Sequence, residues 1–185
     1  RGVNIVNLEG LAASTVDDLQ DLFTAMDDGS FTNFSSIASI AVSGATVDGS
    51  DVLSLIDSFD ILNGGNTTAF SLASEATIQL DSSEISSFLS NESANRLTID
   101  DQDIEVNSAA TISVASSNLL DAVTEGTITA SIDTSETVDT LKTLTGTHAY
   151  TIAIADGDAT TTTAAELTTI NGKTTEAVDA SAITA

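Results

Sequence analysis

Ala76-Thr77-Ile78-Gln79-Leu80, Ala110-Thr111-Ile112-Ser113-Val114 and Thr129-Ala130-Ser131-Ile132 each open the same short pattern, and that pattern decides the fold. A looser copy opens at Tyr150-Thr151-Ile152-Ala153-Ile154, and a fifth starts at Ala177-Val178-Asp179-Ala180. In each opening the apolar residues alternate (Ile78/Leu80, Ile112/Val114, Ala130/Ile132, Ile152/Ile154), which puts them on one face of a strand. A helix-start signal follows. Asp81 with Glu84, Asp133 with Glu136, and Thr163 with Glu166 have the spacing of a capping box, in which the first side chain accepts a backbone N–H and the acid reaches back. Ile85, Phe88 and Leu89 then trace one stripe of a short helix, as do the residues 119–123, 137–141 and 167–170 in the other copies. Gly126, Gly146 and Gly172 close the units, where a left-handed turn favours glycine.

A strand and a two-turn helix cannot each bury an apolar face alone, but stacked copies can. The expected architecture is therefore α/β: a repeat solenoid with parallel strands on one side, short capped helices on the other, and a more helical N-terminal section. Thr111 to Thr129 is 18 residues and Thr129 to Thr151 is 22, so the spacing allows insertions as surface loops.

Residues 1–75 are expected to form an N-terminal cap or attachment section, and residues 76–185 the strand–helix–glycine repeats. In the first section Val3 to Leu8 reads as a strand. Ser14 and Asp17 make a capping pair ahead of Val16, Leu19, Leu22, Phe23 and Met26, a helix ending near Gly29. Residues 37–42 read as a strand. Asp51 to Leu62 carries Val52, Leu55, Ile56 and Phe59 on a second helix, stopped by Gly64-Gly65. Ala69 to Leu72 reads as another strand. Leu97-Thr98-Ile99 and Ile104-Glu105-Val106 read as two strands around an acidic turn, either a layer without its helix or an inserted hairpin.

The 185 residues hold 28 acids against 4 Lys and Arg, with no Cys, Pro or Trp. Phosphate recognition needs basic clusters, so nucleic acid is excluded as a partner, and an anionic membrane surface is disfavoured. Such acidity keeps a surface soluble and is tolerated best in a saline medium, where repulsion is screened. No apolar run reaches the ~18 residues of a spanning helix. Residue 1 is Arg and the last repeat is cut short at Ala185, which reads as a piece of something longer.

The segments Leu144-Thr145-Gly146-Thr147-His148-Ala149-Tyr150-Thr151-Ile152-Ala153-Ile154, Ala164 to Thr175, and Val178 to Thr184 resemble repeats in very large surface proteins of marine cyanobacteria. Similar repeats occur in structural proteins of their phages. The resemblance covers about residues 110–185. It implies an extracellular, cell-surface or virion location and a structural role as spacer, fibre wall or adhesive segment, with no catalytic residue and no cofactor to carry over. The expected partners are further copies or neighbouring subunits and a surface glycan.

Candidate sites are few. Asp48 and Asp51, Asp101 and Asp103, and Asp156 and Asp158 offer oxygen ligands of the kind calcium takes, but neither the EF-hand loop nor the glycine-rich calcium nonapeptide is present, and Asp-Gly also makes ordinary solvated turns. His148, the sole histidine, precedes a strand at a Gly-Thr turn, has no Cys or second His beside it, and reads as a satisfied surface or edge histidine rather than a catalytic base. Neither G-x-S-x-G nor a phosphate loop with Lys occurs. Asp101, Asp103 and Glu105 alternate as paired carboxylates for glycoside hydrolysis would, or as a charged solvent face. Asn33, Asn66 and Asn91 head formal glycosylation sequons. The expectation is a non-enzymatic structural segment, with a glycan- or calcium-binding adhesion module and a carbohydrate-active enzyme as the alternatives.

Overall fold

The computed structural model describes residues 11–27, 39–63, 69–155 and 161–183. The expected strand at 3–8, Gly29, Ile37 and Ala38 of the strand expected at 37–42, Gly64 and Gly65, Asp156 and Asp158, and the sequons at Asn33 and Asn66 lie outside them. The described chain is mixed α/β with two parallel sheets, neither closed on itself, and six helices.

The first helix, α1 (Val16–Asp27), buries Leu19, Phe23 and Met26. Its cap sits one residue later than the sequence pattern placed it: Thr15 Oγ1 accepts from the Asp18 N–H at 3.2 Å, and Asp18 accepts back from Thr15 N. Thr15 wins because Ser14 still belongs to the strand β1 (Leu11–Ser14). The strands β2 (Ser39–Val42) and β3 (Thr46–Asp48) lead into α2 (Gly49–Asn63), whose Val52, Leu55, Ile56 and Phe59 are buried as their spacing requires. Phe59 packs between Phe23 (ring centroids 5.2 Å apart) and Phe70 (6.2 Å, edge-on), fixing α1 and α2 to the sheet.

From β4 (Ala69–Leu72) and β5 (Thr77–Leu80) the chain enters α3 (Ile85–Ser93). It continues through β6 (Leu97–Thr98), β7 (Asp103–Val106) and β8 (Thr111–Ile112) into α4 (Val114–Asp121). Then come β9 (Ile128–Ile132), α5 (Val138–Leu141), β10 (Ala149–Thr151) and α6 (Ala164–Asn171). Single parallel bridges carry the pairing on, from His148 to Thr174 and from Ala153 to Asp179.

The strands form two sheets where the sequence reading put them on one side: β1-β2-β4-β6, and β10-β9-β7-β5-β3 with β8 against β9. Leu97 and Ile104 therefore stand in different sheets, and the acidic turn between them is a corner, not a hairpin. Parallel pairing sets like against like. Ile40, Phe70 and Leu97 align in one sheet, and Val47, Ile78, Ile104 and Ile128 in the other, all buried. A one-residue slip would turn every one of these side chains to solvent, so the apolar row specifies the register.

The corners are made by short polar side chains. Asp48, Asn107, Asp133 and Asp179 each accept the backbone N–H two residues on, at 2.8 to 3.0 Å. These are Asx turns, in which the side chain mimics a backbone turn. They replace one of the expected capping boxes. Asp133 is taken by its own turn, Glu136 instead accepts from Val114 N in the preceding layer, and Thr137 caps α5. At Glu84 only half the box forms: its carboxylate accepts from Asp81 N, while α3 has no side-chain cap. Thr163 and Glu166 make the full box. The second corner of the layer holds a buried amide. Gln102 accepts from Asp100 N at 2.7 Å and donates to the Ala73 carbonyl at 3.2 Å.

Two of the three closing glycines do not close by handedness. Gly146 takes φ +65°, as expected, but Gly172 sits at φ −72°. Gly126 is glycine for want of room, because the Gln102 carbonyl occupies the space a Cβ would need. α4 also starts five residues earlier than the stripe at 119–123 implies, since Ser113 caps it by accepting from Ser116 N. No helix among the described residues is long and apolar enough to cross a membrane.

Candidate functional site

Outward positions of aligned strands form their own rows, and one row is chemically dense. Asp48 stands beside Gln79, and Gln79 beside Glu105, because β3, β5 and β7 are in register. Gln79 donates to the Glu105 carboxylate at 3.3 Å. At the adjoining corner Asn107 donates to Asp81 at 2.9 Å, and Glu84 folds back onto Asp81 N. Together with Ser50 and Ser108 these groups line an open groove of about 350 Å³ with no basic residue in its wall. Strand pairing holds the floor, and the Asx turns at Asp48 and Asn107 hold the rim. The groove is thus a rigid array of hydrogen-bond acceptors, with amide and hydroxyl donors between them.

Of the six aspartates proposed as calcium ligands, one joins this groove. Asp48 lies in it with Oδ1 engaged by Ser50 N and Oγ (2.8 and 2.7 Å). Asp51 is in the first turn of α2. Asp101 accepts from the Ser74 hydroxyl, which holds its carboxyl below the usual range. Asp103 accepts from Thr127 N at 2.6 Å. Both bonds tie one layer to the next. Asp156 and Asp158 lie outside the described residues. Among the described residues no three acids or histidines converge as a metal-holding group. Asp103 and Glu105 do share the outer face of β7, as their alternation implies, while Asp101 stands before the strand. Sequence reading missed Gln79 and Asn107 and used Asp81 and Glu84 only as caps. The usable signal was the repeated Asp-x-Ser that follows a strand, which marks a corner and so fixes which outward residues align.

His148 is a structural residue. Its Nδ1 accepts from the Ile128 N–H at 3.2 Å, so the proton sits on Nε2 and is donated to Asp121 at 2.6 Å. Both nitrogens are committed in a buried setting, which leaves no lone pair for base catalysis. Burial pushes the Asp121 carboxyl up, but the hydrogen bonds from His148 and Thr145 and the nearby positive charge outweigh it, and its pKa falls below the ordinary value. Glu166 is drawn down to about 2 by the Lys142 ammonium at 2.8 Å and by the capping bonds at Thr163.

Tyr150 packs edge-on against His148 and is fully buried, which pushes its phenol pKa up. Among the described residues its hydroxyl has no hydrogen-bond partner of good geometry; the neighbouring Ser117 hydroxyl donates to the Ser113 carbonyl at 3.2 Å. An unpaired buried hydroxyl costs about 1–3 kcal/mol. Tyr150→Phe is therefore expected to keep or raise stability, by up to about 1 kcal/mol, and urea unfolding checks it. A clear loss of stability would show that the hydroxyl is bonded after all.

The chain matches no family model and no curated protein. Among solved structures it is similar to an enolase from Bradyrhizobium crystallised with magnesium and mandelic acid, at 20% identity and a TM-score of 0.27. The likeness covers 66% of this chain and 30% of that one, so the chain spans less than a third of that enolase's length. At this level the likeness transfers neither reaction nor ligand. The expected role as a structural segment of a surface or virion appendage finds no support in these comparisons and is set aside.

Proposed function

We propose that the chain is a non-catalytic recognition module, an α/β solenoid that binds a polyhydroxylated, glycan-type ligand in the Asp48–Gln79–Glu105 groove, in an extracellular setting. The groove carries this reading. Four carboxylates, an amide pair and two serines offer mainly acceptors at fixed positions, and sugar hydroxyls are donors that pair with such groups two at a time. The acids run along the groove without converging, which suits an extended polar ligand better than a single cation. The absence of catalysis is supported by His148, whose nitrogens are both spent on the fold. Parallel pairing of successive layers supports the solenoid. So do the polar links that recur 24 to 27 residues apart, such as Lys142 to Glu166 and Asn118 to Thr145. The extracellular setting rests on the acidity and on the resemblance of residues 110–185.

The test is an oligosaccharide array followed by calorimetry on the best binder. Glu105→Gln keeps the shape of the side chain and removes its charge. It is expected to weaken binding about tenfold, equivalent to about 1.4 kcal/mol. Absence of any binder, or affinity unchanged by Glu105→Gln and by Asp48→Asn, would sink the reading. Release of shortened sugars on incubation would overturn its non-catalytic part.

A further inference from the structure

His148 ties its own strand to the layers on both sides, and it can do so in one protonation state alone. Its main chain pairs forward: His148 N donates to the Lys173 carbonyl at 3.3 Å, and Thr175 N donates to the His148 carbonyl at 2.9 Å. Its ring reaches back. Nδ1 accepts from the N–H of Ile128, the first residue of β9, and Nε2 donates to Asp121, the last residue of α4. Ile128 is wholly buried, and a buried N–H needs an acceptor. The charged and titratable groups around the ring are few. α4 brings Asp121, whose side chain is 24% exposed. β10 brings Tyr150, whose phenol burial keeps neutral. The segment after α6 brings Lys173, whose charge acts on Asp121, and β9 brings only its backbone at Ile128. Gly146 covers the His148–Asp121 pair without a side chain, because a methyl there would overlap Asp121 Oδ1 and His148 Nε2.

We infer that His148 is an acid-sensitive latch: a second ring proton and the Ile128 bond exclude each other, so acid opens the joint between β9 and β10 at Ile128 while Asp121 keeps the ring in place. Nε2 already carries a proton, so Nδ1 is the one site left for another. An N–H then faces an N–H, and one of them must turn away. On the other side of the ring the bond tightens. Asp121 is held below the ordinary carboxylate range and stays charged as the ring takes its proton, which makes the remaining bond charge-assisted at both ends. One bond is lost and its neighbour is strengthened, so the change is local. Histidine is the side chain that titrates over the range a mild acidification covers. The latch shares no residue with the acidic groove and goes beyond the recognition reading.

Nitrogen-15 NMR of the whole chain, from about pH 8 to about pH 4.5, tests this. The ring is expected to pass from the Nε2–H form to the doubly protonated form. Over the same step the Ile128 amide signal should move, and its hydrogen exchange should quicken by about tenfold or more after correction for slower intrinsic exchange in acid. The amides of Ile78 and Ile104, in the same sheet, should keep their protection. His148→Asn leaves an acceptor where Nδ1 stood and cannot take the proton, so its Ile128 amide is expected to be silent across the range. If that variant does not fold, the wild-type titration still decides, since it carries both the ring and the amide signals. An Ile128 amide that stays protected while the ring becomes doubly protonated overturns the inference. So does a response that survives in His148→Asn, and so does a ring that keeps a single proton throughout.

Discussion

Gly126→Ala is expected to be strongly destabilising although it adds only a methyl group. A methyl at this position would lie under 3.0 Å from the Gln102 carbonyl oxygen, the Gln102 carbonyl carbon and Asp103 N, all backbone atoms. Side chains swing away from such a clash, whereas backbone in a sheet moves only by breaking the pairing around it. Here the surroundings are tied tightly. Thr124 donates its hydroxyl to the Gln102 carbonyl at 2.5 Å and accepts from Gly126 N at 2.9 Å, and Glu125 N donates to the Asp100 carbonyl. Relief of the clash would pull Asp103 and its neighbour Ile104 out of register. The expected loss is at the top of the overpacking range, about 3 kcal/mol or more. Gly172→Ala is the control. That glycine has ordinary φ and no neighbour closer than 3.4 Å, so the change should gain up to about 1 kcal/mol by stiffening the unfolded chain. Urea midpoints of the two variants read the contrast, and equal midpoints would refute the close approach at Gly126.

Phe59→Ala is expected to cost about 3–5 kcal/mol, the usual range for an aromatic deleted from a closed core. The ring is fully buried, and it is the link between Phe23 on α1 and Phe70 on β4. Its loss therefore leaves a void and also removes two aromatic contacts worth about 0.5–1.5 kcal/mol each beyond their area. A domain of ordinary stability has only about 5–15 kcal/mol to lose. Phe59→Leu, which refills part of the space, should recover about half the loss. Chemical denaturation followed by near-ultraviolet circular dichroism checks both. A cost below about 1 kcal/mol for Phe59→Ala would mean that α1 and α2 are not held through this ring.

The elements were largely legible, because alternation and helical spacing record burial directly. Ile78 and Leu80, Val52, Leu55, Ile56 and Phe59, and Leu19, Phe23 and Met26 are buried as their spacing requires. The second sheet was not legible. Its strands at Ala69 to Leu72 and Leu97-Thr98 read as strands, but not as a sheet apart, because the turn to the next strand is held by Gln102, whose burial no pattern announces. Caps were half legible. Asp133 and Glu136 have the spacing of a box, but a side chain that can satisfy its own turn does so first, and the acid left over reaches the next layer. The groove was the least legible part. Asp48, Gln79 and Glu105 are far apart in sequence and become neighbours only once the register is known.

The Asx corners at Asp48, Asn107, Asp133 and Asp179 have an evolutionary consequence. Each corner is closed by a residue bonding to its own near neighbour, so it asks nothing of the chain that follows. Duplicated or imported segments can be spliced in just after such a corner without disturbing the strand before it. The helices that follow the corners already differ widely in length, from the four residues of α5 to the fifteen of α2. A lineage built on this plan is free to vary one side of the molecule quickly while the paired strands stay almost still.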